Sequence, residues 1–187
     1  MDLLTMLEFI SVQRHDFLNH LQVISGLVQL NKSDRVIDYI RQVCIDVERL
    51  SKVIHLKNPY VAAALLLGNH QAEMHQVVID FNIQTDFEEC AVPAGEMGSV
   101  LYEALSRAVN YLASPEISGR RIALSLAESD KKYLCRISFP ESPASGTRIT
   151  RDVLTDMEKL LSPFGGKVGL AVSGGEGEIH IICPRMP

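Results

Sequence analysis

The chain has 187 residues, 47% of them hydrophobic and 22% charged, with a formal net charge of -5. That apolar content suffices for one substantial core, or for a small module beside a modest domain. The acidic balance supplies no basic footprint for sequence-independent nucleic-acid binding. The longest uninterrupted apolar run, Val61 to Leu67, falls far short of the roughly 20 residues that cross a bilayer, and the amino terminus lacks the basic, apolar and small-residue succession of a secretory signal. A soluble cytoplasmic protein is expected, with neither a membrane nor a nucleic acid as partner. Cys44, Cys90, Cys135 and Cys183 are scattered singly in apolar stretches, without the paired spacing of a zinc or redox site. All four are expected to be reduced, buried and small-hydrophobe-like.

Residues 1–30 contain no proline and, of glycines, only Gly26. Leu7, Ile10, Phe17, Leu21, Ile24 and Val28 fall on one helical seam, which Arg14 interrupts. Asn31 to Asp34 is a polar break in which Ser33 or Asp34 is placed to cap a second helix. Ile40, Val43, Val47, Leu50 and Ile54 give that helix one apolar face. Two helices of about 25 residues joined by so short a connection are expected to lie antiparallel. One hairpin leaves half of each seam uncovered, so two copies are expected to pair into a four-helix bundle.

At Asn58-Pro59 the pattern changes: asparagine suits an N-cap, and proline the first helical position, where its missing amide hydrogen costs nothing. A third helix should run to about Gln76. Val77 to Ile83 reads as a strand and Ala94 to Leu112 as a helix. Arg121 to Ala127 and Tyr133 to Phe139 read as strands about a polar Glu128 to Lys132 turn, and Thr150 to Leu161 as a helix. Lys167 to Val172 and Glu178 to Cys183 form a hairpin around Ser173-Gly174-Gly175. This order predicts an α+β protein, with a helical hairpin at 1–56 and a two-layer α/β sandwich at 57–187.

The stretch Arg14-His15-Asp16-Phe17-Leu18-Asn19-His20 carries the most chemistry. With Phe17 and Leu21 taken as core-facing, His15 falls just off the seam, on the solvent side. A nucleophile attacking phosphorus must approach in line, and a side chain standing out from a rigid helix lets a docked partner present its phosphoryl group along that line. Imidazole offers a neutral, nucleophilic form near pH 7. Asp16 and Asn19 are placed to orient a ring nitrogen, and Arg14 to offer positive charge to phosphoryl oxygens. An ordinary exposed helix histidine has the same appearance. His20 lies about 140° further around the helix, so the two histidines do not form the metal pair that an i,i+4 spacing makes. His70 and His75 repeat that spacing with only Glu73 beside them, and His55 and His180 stand alone, so no metal site is expected.

RHDFLNHLQVISGLVQLNKSDRVIDYI, from Arg14 to Ile40, resembles the dimerisation and phosphoacceptor hairpin of the sporulation initiation phosphotransferase B family. It equally resembles the hairpin of the related citrate and malate sensor kinases. NPYVAAALLLGNHQAEM, at 58 to 74, is similar to the stretch where those kinases pass into their ATPase-like domain. In both families the histidine ahead of Asp-Phe (or a similar aromatic) and Asn carries the phosphate, which by position implies His15. Past residue 75 the element order resembles the ATP-binding domain shared by histidine kinases and DNA gyrase.

Kinases of this kind place an asparagine, usually in Asp-Asn-Ala, on the helix that holds magnesium. The matching stretch here is Leu101-Tyr102-Glu103-Ala104-Leu105, with Glu103 at that position. A carboxylate is still a magnesium ligand in principle. The next kinase motif, Asp-x-Gly-x-Gly, supplies an aspartate for adenine and glycines for close backbone approach. It is replaced by Pro140-Glu141-Ser142-Pro143-Ala144-Ser145-Gly146, and Thr147 to Leu161 has no glycine with which to build a phosphate lid. The resemblance therefore implies a degenerate ATPase-like domain, retained for packing or docking, with no nucleotide or metal cofactor of its own.

The implied activity is that of a phosphorelay phosphotransferase, of the sporulation type. His15 attacks the aspartyl phosphate of one response-regulator receiver domain and yields the phosphoryl group to the aspartate of a second, without ATP. Magnesium comes from the regulator's acidic pocket, and the implied partners are a second copy of the chain and the receiver domains. Two other readings stay open. One is a sensor histidine kinase transmitter of the citrate and malate type that uses Glu103 in an unusual magnesium site. The other is a non-enzymatic module that sequesters a regulator or kinase by mimicking its hairpin.

Overall fold

The computed structural model describes residues 3–117, 119–141 and 154–186. The chain divides into two compact units, residues 1–51 and 52–187.

The first unit is an antiparallel pair of helices, α1 (Leu3–Gln29) and most of α2 (Ser33–Ile54). Asn31 ends α1 in the left-handed region, at φ 55°. Lys32 N donates to Leu27 O and Asn31 N to Val28 O, so the last carbonyls of α1 are satisfied by a Schellman closure. Val36 N donates to Lys32 O, which makes Lys32 the residue that opens α2, ahead of the expected Ser33 or Asp34. Asp34 instead occupies the first turn, where its charge opposes the helix dipole. His20 on α1 and Tyr39 on α2, at similar distances from the turn, hydrogen-bond across the hairpin.

Phe17 is 62% and Leu21 47% exposed, and Ile10, Val28, Ile40 and Val47 are exposed as well. The expectation that Phe17 and Leu21 face a core is therefore not met within the chain. Two helices give each seam one neighbour, and the other half of each seam stays open.

The second unit contains α3 (Pro59–Met74), β1 (Val78–Ile83), α4 (Ala94–Leu112), β2 (Arg121–Ser129), β3 (Lys132–Pro140), α5 (Thr155–Leu161) with a 3-10 turn at Ser162–Phe164, β4 (Lys167–Ser173) and β5 (Glu176–Pro184). The strands form one sheet in the order β1-β2-β3-β5-β4, with β1 parallel to β2 and the remaining pairs antiparallel. Ile122, Leu124 and Leu126 of β2 alternate with exposed or half-exposed residues, and they register with Cys135 and Ile137 of β3 and, through these, with Ile179 and Ile181 of β5. One sheet face is thus apolar and lies against the helices, giving the two-layer α+β architecture.

Asn58 caps α3 as expected: its Oδ1 accepts from Tyr60 N and Val61 N, and Pro59 occupies the first turn. The helices α3 and α4 pack closely. A β-carbon on Gly68 would stand 2.2 Å from Leu105 Cδ2, and one on Gly98 would stand 2.8 Å from Tyr60 O. Strand β5 starts at Glu176 rather than Glu178, because Gly174 and Gly175, at φ 63° and 84°, make a two-residue turn of the kind that suits strand twist and lets pairing run up to it. The first residues of the helix expected at Thr150 to Leu161 lie outside the described residues; from Thr155 to Leu161 it is helical.

Cys90, Cys135 and Cys183 are buried, but Cys44 is exposed, on a side of α2 that this chain leaves uncovered. Burial pushes the Cys135 thiol up to about 12. Among the described residues, no helix is long and apolar enough to cross a membrane.

Candidate functional site

Helix α1 holds Arg14, His15, Asp16 and Asn19 on its surface, where no other element of the first unit covers them. The His15 side chain is 73% exposed. Its Nδ1 lies 3.1 Å from Asn19 Nδ2, one helical turn further on, and 3.7 Å from Asp16 Oδ1. A carboxylate beside Nδ1 favours a proton there. The Asn19 amide accepts that proton equally well once its oxygen and nitrogen exchange places by a half-turn of the side chain. With Nδ1 protonated and engaged, the lone pair sits on Nε2, at the other side of the ring. Three of the residues singled out from sequence, His15, Asp16 and Asn19, are thus brought together, while Arg14 stands exposed next to them in the chain without a contact to the imidazole.

His20 is placed differently. Its Nδ1 is 2.9 Å from Tyr39 Oη, and the two rings lie 5.9 Å apart, tilted by 52°. One ring nitrogen is therefore committed to holding α1 against α2. The signal for this pairing is weak in the sequence, a tyrosine on the second helix at roughly the distance from the turn that separates His20 from it on the first.

In the second unit Glu103 pairs with Arg107, one turn along α4, at 2.5 Å. The carboxylate at the kinase asparagine position is thus turned to a cation of its own helix, a poor fit to a magnesium ligand. Among the described residues, no three histidine, cysteine, aspartate or glutamate side chains converge. Pro140 still pairs with Glu176, and Glu141 N donates to Gly175 O, so sheet pairing continues where the kinase nucleotide motif would begin. From Ser142 to Val153 the stretch that replaces the glycine motif and the start of the lid lies outside the described residues.

Residues 1–56 match the family model of the SpoOB-type sensor kinase α-helical domain. That segment is thus similar to SpoOB-type helical domains over its whole length. The chain is also 24% identical over 129 residues to sporulation initiation phosphotransferase B of Bacillus subtilis (strain 168), a match that covers 67% of this chain. It spans 65% of that relative's length. Among solved structures, the nucleotide-free catalytic domain of histidine kinase ThkA superposes with a TM-score of 0.54 at 14% identity, covering 71% of this chain and 97% of that one. Acinetobacter baumannii histidine kinase AdeS gives a TM-score of 0.51 at 11% identity, over 91% of this chain and 98% of that one. At these identities the likeness carries the fold alone, the layered α+β arrangement that this chain shares with those domains.

Proposed function

We propose that the chain is a two-component phosphotransferase of the sporulation type that relays a phosphoryl group between receiver-domain aspartates through His15, without ATP. The hairpin at 1–56 serves as the dimerising phosphoacceptor module, and 57–187 as a degenerate ATPase-like domain that packs or docks. Two hairpins close into a four-helix bundle over Phe17, Leu21, Ile40 and Val47, whose exposure in the single chain supplies the apolar face for it.

The Nε2 lone pair of His15 attacks the phosphorus of an aspartyl phosphate. The N–P bond forms as the bond from phosphorus to the aspartyl oxygen breaks, and the carboxylate leaves with that bonding pair. The second regulator reverses the step: its aspartate oxygen attacks, and the N–P electron pair returns to Nε2. Asp16 and Asn19 hold the Nδ1 proton and stabilise the cationic ring during transfer, while Arg14 offers charge to the phosphoryl oxygens. Magnesium belongs to the regulator's acidic pocket.

The observation that carries this reading is the contrast between two histidines on one SpoOB-type helix: His15 is exposed and oriented, and His20 is bonded to Tyr39. The Glu103–Arg107 pair weighs against the kinase alternative. The test is to mix the protein with a receiver domain phosphorylated by acetyl phosphate and to map acid-labile, alkali-stable phosphate by mass spectrometry. Label on His15 is expected. Label on His20, or none, would overturn the proposal.

A further inference from the structure

Along the free edge of β4 runs a cleft of about 530 Å3. One wall is the chain itself from Gly165 to Leu170; the other is Glu158 of α5 with Ser162, one helical turn further on, and His180 and Ile182 of β5 close the base. Among the described residues strand β4 pairs with β5 alone, so its other row of backbone N–H and C=O groups has no sheet partner there. Natural edge strands guard such a row with several charges, a proline, a bulge or a covering element. Lys167–Ser173 carries only the charge of Lys167, contains no proline and keeps one unbroken register with β5.

The cleft is also chemically unfinished. Glu158, Ser162, Lys167 and His180 line it, and among the described residues none of these four side chains has a hydrogen-bond or ion-pair partner. The imidazole reaches across β4 because residue 169 is glycine: a β-carbon there would stand 2.3 Å from His180 Nε2. The Lys167 ammonium, with the His180 imidazole beside it, and the Glu158 carboxylate therefore line one cleft with opposite charges, beside a strand edge that β5 leaves open.

We infer that this cleft binds an extended segment of a partner protein, which adds to β4 as a sixth strand and carries an acidic side chain toward Lys167 and His180 and a basic one toward Glu158. The mode is strand addition, in which main-chain hydrogen bonds give affinity and flanking side chains give selectivity. Within a layered sheet a strand residue fills roughly 160 Å3, from a rise of about 3.3 Å, a strand spacing of about 4.8 Å and a layer spacing of about 10 Å, so the cleft takes about three residues. A second copy of this chain fits worse, because its β4 would bring its own α5 into the same gap. A small zwitterion would satisfy the charges yet leave the backbone row of β4 unpaired.

The probe is a random displayed peptide library panned on the full-length protein. Selected peptides should slow amide exchange across 167–173 and should lose affinity by about tenfold or more in Glu158→Lys and in Lys167→Glu. Both substitutions are at exposed positions, and unchanged thermal melts would show that the fold survives. A peptide with its charges exchanged should regain affinity for the doubly reversed protein. The inference is overturned if panning yields no binder, or if the binders ignore both substitutions or protect a region other than β4. Displacement by free glutamate and lysine without protection of β4 would assign the cleft to a small zwitterion and overturn it equally.

Discussion

Gly68→Ala changes one hydrogen for a methyl group, and the close packing of α3 on α4 decides what that does. The new β-carbon would stand 2.2 Å from Leu105 Cδ2 and 2.9 Å from Leu105 Cγ, where carbon atoms rest at about 3.5–4.0 Å. Leu105 is fully buried, and in a close-packed interior its side chain yields only by displacing its neighbours. Overpacking a filled core costs about 1–3 kcal/mol, and an overlap of this depth belongs in the upper half of that range. Helix propensity works in the opposite sense, since alanine is better than glycine by about 0.8–1.0 kcal/mol. The net is a destabilisation of about 1–2 kcal/mol, or a Tm lowered by about 3–10 °C. Gly95→Ala is the control: at that exposed position the nearest neighbour of a β-carbon would be Tyr60 Cε1, at 4.0 Å, so propensity acts alone and stability should hold or rise by up to about 1 kcal/mol. Urea unfolding midpoints at unchanged m value separate the two. Because Leu105 is the obstacle, Leu105→Ala and Gly68→Ala should be less than additive. A Gly68→Ala protein as stable as Gly95→Ala would refute the packing argument.

Three further outcomes follow from the same structure. Leu21→Asp places a charge on the open seam of α1, harmless to one chain in water but an unpaired buried charge in a bundle; sedimentation should show dimer lost with helicity retained, and a wild type that is monomeric at micromolar concentration would defeat the bundle. The Cys135 thiol, raised by burial from 9.0 to about 12, contributes stability that is present below its unfolded value and lost as pH rises toward 12, because the unfolded chain releases a proton that the folded one keeps. Stability should therefore fall above about pH 9 by up to about 1.4 kcal/mol per pH unit for this thiol, Cys135→Val should flatten that slope, and in the native protein Cys44 should alkylate well ahead of Cys135. Calorimetry with ATP and magnesium should show no binding; micromolar affinity with γ-phosphate label reaching His15 would restore the kinase reading.

Local signals were strong enough to place most elements. Helix α4 runs from Ala94 to Leu112, the bounds its apolar repeat predicts, and Asn58-Pro59 opens α3 with the expected cap. The strand boundaries moved only where a turn had to be resolved, as at Gly174-Gly175, whose two positive φ angles leave room for pairing from Glu176. What one sequence did not reveal depends on neighbours far away in the chain or absent from it. Phe17 and Leu21 read as core because periodicity reports a face and says nothing of what covers it, and Cys44, expected to be buried, is exposed in the single chain for the same reason. At the site, the cluster of His15, Asp16 and Asn19 was legible because i+1 and i+4 positions are helical neighbours. The Tyr39 bond to His20 and the seating of His180 over Gly169 were not, since both need the pairing of elements.

The central claim is that phosphate passes through His15. The most direct measurement mixes one phosphorylated receiver domain and a second, unphosphorylated one with wild type, His15→Gln or His20→Gln, and follows label into the second receiver. His15 is exposed, so His15→Gln should keep the fold and its melting curve while abolishing relay; His20→Gln should loosen the hairpin through the lost Tyr39 bond yet still relay. Relay undiminished in His15→Gln, or lost only in His20→Gln, would contradict the account.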